Sequence, residues 1–349
     1  MSWTVVPASR FAEHLPRWQA LHADCGASPL LAADFLAAAL HTLGRGDELL
    51  AWYEEAGRTR AMAVVAPAGV GRWSTFQPPQ APVGFWLQQG AGSPERFVPG
   101  LLHALPGPAL VFGITQCDPM LLPRPADSAR MRTLDYIETA RISLAPGFEA
   151  YWNARGKNLR SNLKKQRKRL QQEGCATRLQ ILRAPDEMAA AVRDYGMLET
   201  RGWKGSAGSA VHADDAQGRF YRAMLEAFAR RGAARVYRYF IGERLAAMDL
   251  CIEGGGCVVV LKTAYDESLG SALSPALLMR EEACRDIFED GRFERIEFYG
   301  RVMEWHLRWT DEIRTMYHLN SYRWPVLARL HALAAQRRPR TAHAAHAAG

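Results

Sequence analysis

A strand-like run and the loop after it carry residue types that could hold a phosphate group. The run "VVVLKTAYDE" (258–267) contains Lys262 and ends near Tyr265. The loop "SLGSALSP" follows, with Ser274 expected as the N-cap and Pro275 at the first position of a helix. Free backbone N–H groups at such a start, together with the helix dipole, favour phosphate or pyrophosphate. The candidate contacts are Lys262, Gly270, Ser271, Ala272, Leu273, Ser274, Ala276 and Leu277.

Titratable side chains that could move a proton lie on either side of that segment. Asp249 sits in "LAAMDLCI", where a carboxylate is costly to bury alone. It is therefore either held in a structural pair or used as a general base. Glu304 and His306 lie two apart in "EWHLRWT", where the histidine is either structural or a base. Tyr265 either gives a proton to a leaving group through its phenol or packs against its neighbours.

Other side chains are candidates for contact with a substrate. Glu297 and Tyr299 alternate along "IEFYG", so they share one face of a strand, which is either the wall of a site or a polar surface. Tyr299 is a second phenol that could give a proton to a leaving group. Trp203 and Lys204 precede a glycine in "RGWKG", which is either a lid or a packed turn. The predicted substrate contacts are Trp203, Lys204, Glu297, Arg301, Arg160 and Lys164.

A strongly basic run opens the second half of the chain. From Arg155 to Arg169 there are eight basic residues and no acidic one. Within a helix predicted over 147–172, three leucines fall on one face, at positions 159, 163 and 170. The charged face is either solvated or turned towards a phosphate. No aromatic residue interleaves the run, which argues against stacking on single-stranded nucleic acid.

Composition sets limits on the class of protein. The chain has 349 residues, 48% of them hydrophobic, and a formal net charge of +8. These values allow a large core and favour an acidic partner. None of the six cysteines forms a C-x-x-C pair, so a zinc site has no support, and we expect no metal. No signal peptide and no long apolar run is recognised, so we expect a cytoplasmic protein.

The order of predicted elements is regular after residue 147. A helix, a strand and two helices precede three strands joined by "GE" and "GGG", which predict an antiparallel meander. A helix, a strand, a last strand "RTMYHLNSYRW" and a terminal helix follow. The first half alternates strands and helices with proline-rich loops. The tail from residue 337 is low in complexity, and we expect it to be disordered.

This order, with four sequence pieces, resembles the GNAT acyltransferase superfamily, in its FemAB-like and CelD-like branch. The pieces are "RGKNLRSNLKKQRKRLQQEG", "RGWKG", "LKTAYDESLGSALSPALLM" and "IEFYGR…RW". The resemblance covers about residues 148–324. It implies an α/β fold of two GNAT-like halves, with mixed, largely antiparallel sheets flanked by helices. The implied domains are a degenerate GNAT-like domain over 1–140, a catalytic one over 141–336 and the tail over 337–349.

The resemblance also implies an activity: N-acyl transfer from acyl-coenzyme A to an amine by direct attack. The acceptor would be an amino sugar or an amino acid, in envelope or exopolysaccharide synthesis. The loop and helix start at 270–277 would hold the pyrophosphate. One departure stands out: relatives read "PYK" and a basic run where this chain has "RVMEWHLRWTDE", so Glu304 and His306 replace a lysine. Two alternatives stay open, an aminoacyl-tRNA-dependent transferase and a non-catalytic module that binds a glycan or an acidic protein.

Overall fold

The computed structural model divides the chain into two compact units. One comprises Met1–Glu138 with Arg314–Gly349, and the other Thr139–Ile313. The sequence placed the last strand and the terminal helix in the catalytic domain, whereas the structure groups them with the first unit. The reason is strand pairing, because the last strand pairs with Val111–Cys117. The structure describes residues 2–145, 147–200, 211–270 and 273–337. The tail predicted to be disordered lies outside the described residues, apart from residue 337.

The first unit is built on a mixed sheet with strand order β1-β2-β3-β4-β6-β13, and β5 pairs with β3. Strands β4 and β6 are parallel, and the other neighbours are antiparallel. The short strands β4 and β5 lie in a stretch that the sequence indicated only as a loop. The bounds are β1 Ser2–Pro7, β2 Leu49–Glu55, β3 Arg58–Gly69, β4 Arg72–Thr75, β5 Trp86–Gln88, β6 Val111–Cys117 and β13 Ile313–Tyr322.

Helices of the first unit cover an apolar core. Trp3, Val98, Leu101, Phe112 and Tyr317 pack in one buried cluster, which joins a helix to three strands. The helices are α1 Leu15–Asp24, α2 Ala33–Leu43, α3 Val98–Ala104 and α10 Pro325–Arg337. Among the described residues, no helix combines the length and apolarity that crossing a bilayer requires.

The second unit holds the three-stranded meander that the sequence predicted. Its strands β9, β10 and β11 are antiparallel neighbours, and β8 adds to β9. On the other side β11 pairs with β12 in parallel, and β12 pairs with the end of β7 in antiparallel. The bounds are β7 Met131–Ser143, β8 Thr177–Leu182, β9 Ala234–Ile241, β10 Arg244–Gly254, β11 Cys257–Tyr265 and β12 Arg295–Phe298. The expected mixed, largely antiparallel sheet flanked by helices is confirmed.

Among the described residues, the α-helices of this unit are α4 Phe148–Ala154, α5 Lys157–Gln172, α6 Met188–Thr200, α7 Ala216–Arg230, α8 Pro275–Asp290 and α9 Glu304–Leu307. Helices α4, α5 and α8 pack on one face of the sheet, where Leu163, Val258 and Met279 share a core cluster. Helix α6 contacts β10 and β11, and helix α7 contacts β9 and β10. The single helix predicted over 147–172 is two helices, because Arg155 and Gly156 adopt extended backbone between them.

Candidate functional site

Two neighbouring strands part in the middle of the second unit. Strands β11 and β12 pair only from Cys257–Arg295 to Val260–Phe298, where β12 ends. Strand β11 continues to Tyr265, and Leu261 is an extra residue opposite β10, since Leu250 pairs with Lys262 and Cys251 with Val260. About half of the backbone N–H and C=O groups at 261–265 therefore point away from β10, towards a side that β12 no longer covers.

The helix predicted after this strand begins as expected. Helix α8 has Ser274 at its N-cap and Pro275 at its first position, which confirms both assignments. Between strand and helix, Gly270 has a φ of 79°, a left-handed conformation that favours glycine. In this connection Glu267–Leu269 forms one turn of 3-10 helix, so the start of α8 follows β11 closely in the chain.

The backbone amides of this loop are only partly free to hold a phosphate. Gly270 N–H donates to Glu267 O at 3.4 Å, and Leu273 N–H donates to Gly270 O at 3.3 Å. Ser274 N–H donates to Gln166 Oε1 of α5 at 2.8 Å, and Leu277 N–H donates to Ser274 O at 3.0 Å.

Fewer backbone amides are therefore available to hold a phosphate than the sequence suggested. Four of its amides donate within the chain, and Pro275 has no N–H. Among the described residues, no acceptor is seen for the N–H of Ala276. Ser271 and Ala272, also predicted to bind the phosphate, lie outside the described residues.

Asp249 lies beside the parted strands in a buried ion pair. Its Oδ2 is 2.6 Å from Nη1 of Arg280, and Nη2 of Arg280 donates to Oδ1 at 3.1 Å. Thr263 Oγ1, opposite on β11, donates to the same Oδ1 at 2.6 Å. Asp249 is 0% exposed and Arg280 is 3% exposed. Burial raises the pKa of Asp249, and Arg280 opposes that change. This geometry favours the structural alternative over a general base.

Arg280 extends from that ion pair to the end of β12. Its guanidinium carbon lies 5.1 Å from the ring centre of Phe298 and 5.9 Å from that of Trp305. His306 stacks on Trp305 and meets Phe298 edge to face. We call Asp249, Thr263, Arg280, Phe298, Trp305 and His306 the gap cluster, because its members lie on both strands that part and on the elements that flank them.

The imidazole of His306 is held in one protonation state. Met303 N–H donates to Nδ1 of His306 at 2.9 Å, so the neutral ring carries its proton on Nε2. Burial, with the nearby charge of Arg280, lowers the pKa of His306 to about 4. At neutral pH this side chain is therefore a hydrogen-bond donor through Nε2, which argues against the predicted role as a base.

The lowered pKa of His306 makes stability depend on pH. The unfolded chain takes up a proton near pH 6.5, whereas the folded chain does so only near pH 4. Stability from this residue is thus fully present above pH 6.5 and decreases as the pH falls towards 4, by roughly 3 kcal/mol. The variant His306→Gln lacks this pH-dependent contribution. In urea unfolding we therefore expect the difference in stability between the wild type and the variant to shrink as the pH falls from 7 to 4.5. Exposed His103→Gln is the control, and parallel pH curves for the His306 variant and the wild type would contradict the assignment.

Comparison with known proteins agrees with this architecture. Residues 157–307 match the family model Acetyltransf_6, the acetyltransferase (GNAT) domain. The matched segment lies wholly within the second unit and includes the parted strands, the start of α8 and the gap cluster. A search of the curated proteins found no match.

Solved structures share the fold over nearly the whole chain. FemX superposes with a TM-score of 0.58 at 10% identity, covering 95% of this chain and 99% of FemX. The C-terminal domain (DUF2156) of a protein assigned as a lysylphosphatidylglycerol synthetase in Agrobacterium fabrum gives 0.55 at 14% identity, with 93% and 96% covered. A conserved protein of unknown function from Bacteroides thetaiotaomicron gives 0.55 at 11%, with 92% and 99% covered. At these identities the likeness concerns the fold alone.

Other predicted residues of the second unit are not members of the gap cluster. Glu304 is exposed on α9 and pairs with Arg308 one turn away, at 2.8 Å. Tyr265 is 43% exposed at the end of β11, and partial burial raises its pKa. Glu297 is buried on β12, where Arg295 Nε donates to its Oε1 at 3.0 Å. Tyr299 is half-buried and Arg301 is exposed, just after β12.

Lys262 lies on β11, in the stretch beyond its last pair with β12. Its Nζ lies 4.0 Å from Oε1 of Glu199 on α6 and 5.9 Å from the ring centre of Tyr221 on α7. Glu199 is 4% exposed and also accepts hydrogen bonds from Tyr195 and the backbone of Val211. Lys262 therefore has a carboxylate partner within the chain, and the alternative of a phosphate contact loses support. Trp203 and Lys204 lie outside the described residues.

Helix α5 uses part of its basic charge in ion pairs and exposes the rest. Its three predicted leucines are buried, and Arg167 pairs with Glu281 and Glu282 on α8 at 2.9 and 2.6 Å. On the opposite side of α5, Lys157, Lys164 and Lys168 are exposed at helical spacing, and half-buried Arg160 lies beside them. We call these four residues the lysine stripe.

Sequence reasoning missed three residues that organise the site. Arg280 is the partner of Asp249, Thr263 bonds to the same carboxylate, and Gln166 holds the loop before α8. The apolar surroundings of Asp249 indicated that a partner must exist, because an unpaired buried charge is costly. The signal in the sequence was an arginine, Arg280, on the side of α8 that also carries Met279 and Ala283. The structure shows that all three are buried.

Proposed function

We propose that the second unit is an N-acyltransferase that moves an acyl group from an acyl-coenzyme A thioester to an amine. The observation that carries the proposal is the parting of β11 from β12 beside the start of α8. An extended thioester arm can lie along the uncovered edge of β11 and bond to its backbone, as an added strand does. The phosphates at the other end of the donor would then meet the loop at Gly270 and the N–H of Ala276.

The chemistry we propose is direct attack without a covalent enzyme intermediate. The amine nitrogen forms a bond to the thioester carbon, the C–S bond breaks, and the proton lost by nitrogen ends on the coenzyme A thiol. Nε2–H of His306 is our candidate donor to the carbonyl oxygen as it gains charge. Tyr265 stays protonated at neutral pH because its pKa is raised, and it is our candidate acid for the leaving thiolate. Tyr299 remains the alternative acid.

The acceptor class follows from the family resemblance. We propose an amino sugar or an amino acid, in envelope or exopolysaccharide synthesis. Glu297 and Arg301, at the end of β12, are proposed to contact it, together with Trp203 and Lys204. Release of free thiol from acetyl-coenzyme A in the presence of a panel of amino sugars and amino acids measures this directly.

Two glycines at opposite ends of α8 allow a matched test of donor binding. Gly270 and Gly291 have φ values of 79° and 71°, and no described atom lies within 4 Å of a Cβ added at either. We expect acyl-coenzyme A to bind the wild type in isothermal titration and Gly270→Ala to weaken that binding at least about tenfold. Gly291→Ala should cost similar stability, about 1 kcal/mol, and leave binding unchanged.

The binding experiments also distinguish the acyltransferase from the two alternative functions. Equal weakening by both glycine variants would contradict binding at the start of α8. Absence of thioester binding, with retention of tRNA, would favour an aminoacyl-tRNA donor, because the lysine stripe is an exposed run of cations. In that case the triple variant Lys157→Gln, Lys164→Gln and Lys168→Gln should weaken retention and flatten its dependence on salt. Binding of neither ligand would favour the non-catalytic module.

A further inference from the structure

The last helix of the first unit exposes an apolar stripe. Val326, Leu330 and Leu333 lie on one side of α10 at helical spacing, and Trp324 directly precedes the helix. Their exposed fractions are 55%, 56%, 53% and 50%. A large hydrophobic side chain exposed alone is ordinary, but four within ten residues form a patch that calls for an occupant.

The opposite side of the same helix packs on its own unit. Ala328 is buried, Leu327 is half-buried, and the hydroxyl of Tyr322 and Nδ1 of His331 are 2.5 Å apart. Helix α10 is thus attached to the fold by one face, and the apolar stripe is a second face of the helix.

The part of the sequence that carries the apolar stripe has basic residues and no acidic one. From Arg323 to the end, the sequence has five arginines, three histidines and no aspartate or glutamate. Three charged residues lie close enough to Tyr322, just before the helix, to change its pKa. Burial raises that pKa, the charges of Arg72 and Arg132 lower it, and the charge of Asp127 raises it. Arg329, on the helix itself, is exposed. An apolar stripe with a tryptophan at one end and basic residues around it has the character of an interfacial helix.

We propose that α10 is a docking surface for an anionic lipid membrane. The apolar stripe enters the headgroup boundary, and the arginines meet lipid phosphates. A second copy of the chain is a poorer occupant, because a symmetric contact through this face would bring two acid-free, arginine-rich segments together. The inference does not depend on the proposed acyl transfer, which concerns the other unit.

Vesicle sedimentation with the full chain tests the proposal. We expect binding to vesicles of phosphatidylcholine with about a third phosphatidylglycerol to be at least about tenfold tighter than to pure phosphatidylcholine, and to weaken with salt. The double variant Leu330→Gln with Leu333→Gln should lose at least about tenfold of that affinity, and Arg329→Gln should lose a smaller share. The matched control is Val70→Gln with Met120→Gln, two exposed apolar residues of the same unit, which should bind as the wild type does.

Several outcomes would overturn the proposal. Equal binding to both kinds of vesicle, or unchanged binding by the leucine variant, would exclude α10 as an anionic-lipid surface. Loss of binding in the control pair as well would mean non-specific adsorption. A wild-type dimer in sedimentation velocity that the leucine variant dissociates, with no vesicle binding, would assign the stripe to a second copy instead.

Discussion

Replacement of Arg280 by methionine is expected to lower the free energy of unfolding by about 3–5 kcal/mol. The change leaves the carboxylate of Asp249 buried on β10 with Thr263 as its remaining hydrogen-bond donor, and no cation to balance its charge. It also removes the guanidinium from the faces of Phe298 and Trp305. Urea unfolding followed by circular dichroism measures the loss.

A control on the same helix separates this effect from loss of any arginine on α8. Arg285 pairs with Glu149 at 2.8 Å, but both side chains are exposed, so Arg285→Met should cost at most about 1 kcal/mol. A double-mutant cycle then isolates the pair. The combination of Asp249→Asn with Arg280→Met should cost less than the sum of the single changes, since neither partner is left charged and alone. Additive losses would show that the two groups are not coupled.

The arrangement of elements in the second unit was largely predictable from the sequence. Alternation and turn residues marked the three antiparallel strands, and Ser274 with Pro275 marked the start of α8. The three leucines of α5 fell on its buried face as expected. Each of these signals is local, because it depends on periodicity or on a cap within a few residues.

The functional geometry depends on contacts that are distant in the chain. Asp249 and Arg280 are 31 positions apart, and their pairing depends on how α8 lies on β10. The point at which β11 leaves β12 is set by the extra residue Leu261 and by the length of β12, which no local pattern indicates. The tautomer of His306 follows from one backbone contact, with Met303 at the N-cap of a helix of four residues.

Replacement of Arg235 by methionine is the second large expected effect, again about 3–5 kcal/mol of unfolding free energy. Arg235 lies on β9 with 0% exposure, and its Nε donates to Oε1 of Glu253 at 2.7 Å. Its two terminal nitrogens bond to Asp286 and Asp290 on α8. Removal of this cation leaves three carboxylates close together. Asp286 then has no arginine partner among the described residues, whereas Arg183 and Arg292 still pair with Glu253 and Asp290.

The pH dependence of that loss distinguishes charge repulsion from lost packing. Hydrogen bonds from Arg292, and then from Arg235, lower the pKa of Asp290 to about 2. Its stabilising contribution is therefore present above its ordinary pKa of 3.8 and is lost as the pH falls towards 2. In Arg235→Met the clustered carboxylates take up protons at higher pH, so the deficit relative to the wild type should be largest near pH 7 and shrink below about pH 5. Arg222→Met on α7 removes an exposed arginine paired with Glu226 and should leave stability nearly unchanged. A deficit for Arg235→Met that stays constant from pH 7 to 3 would assign the loss to packing of the side chain rather than to its charge.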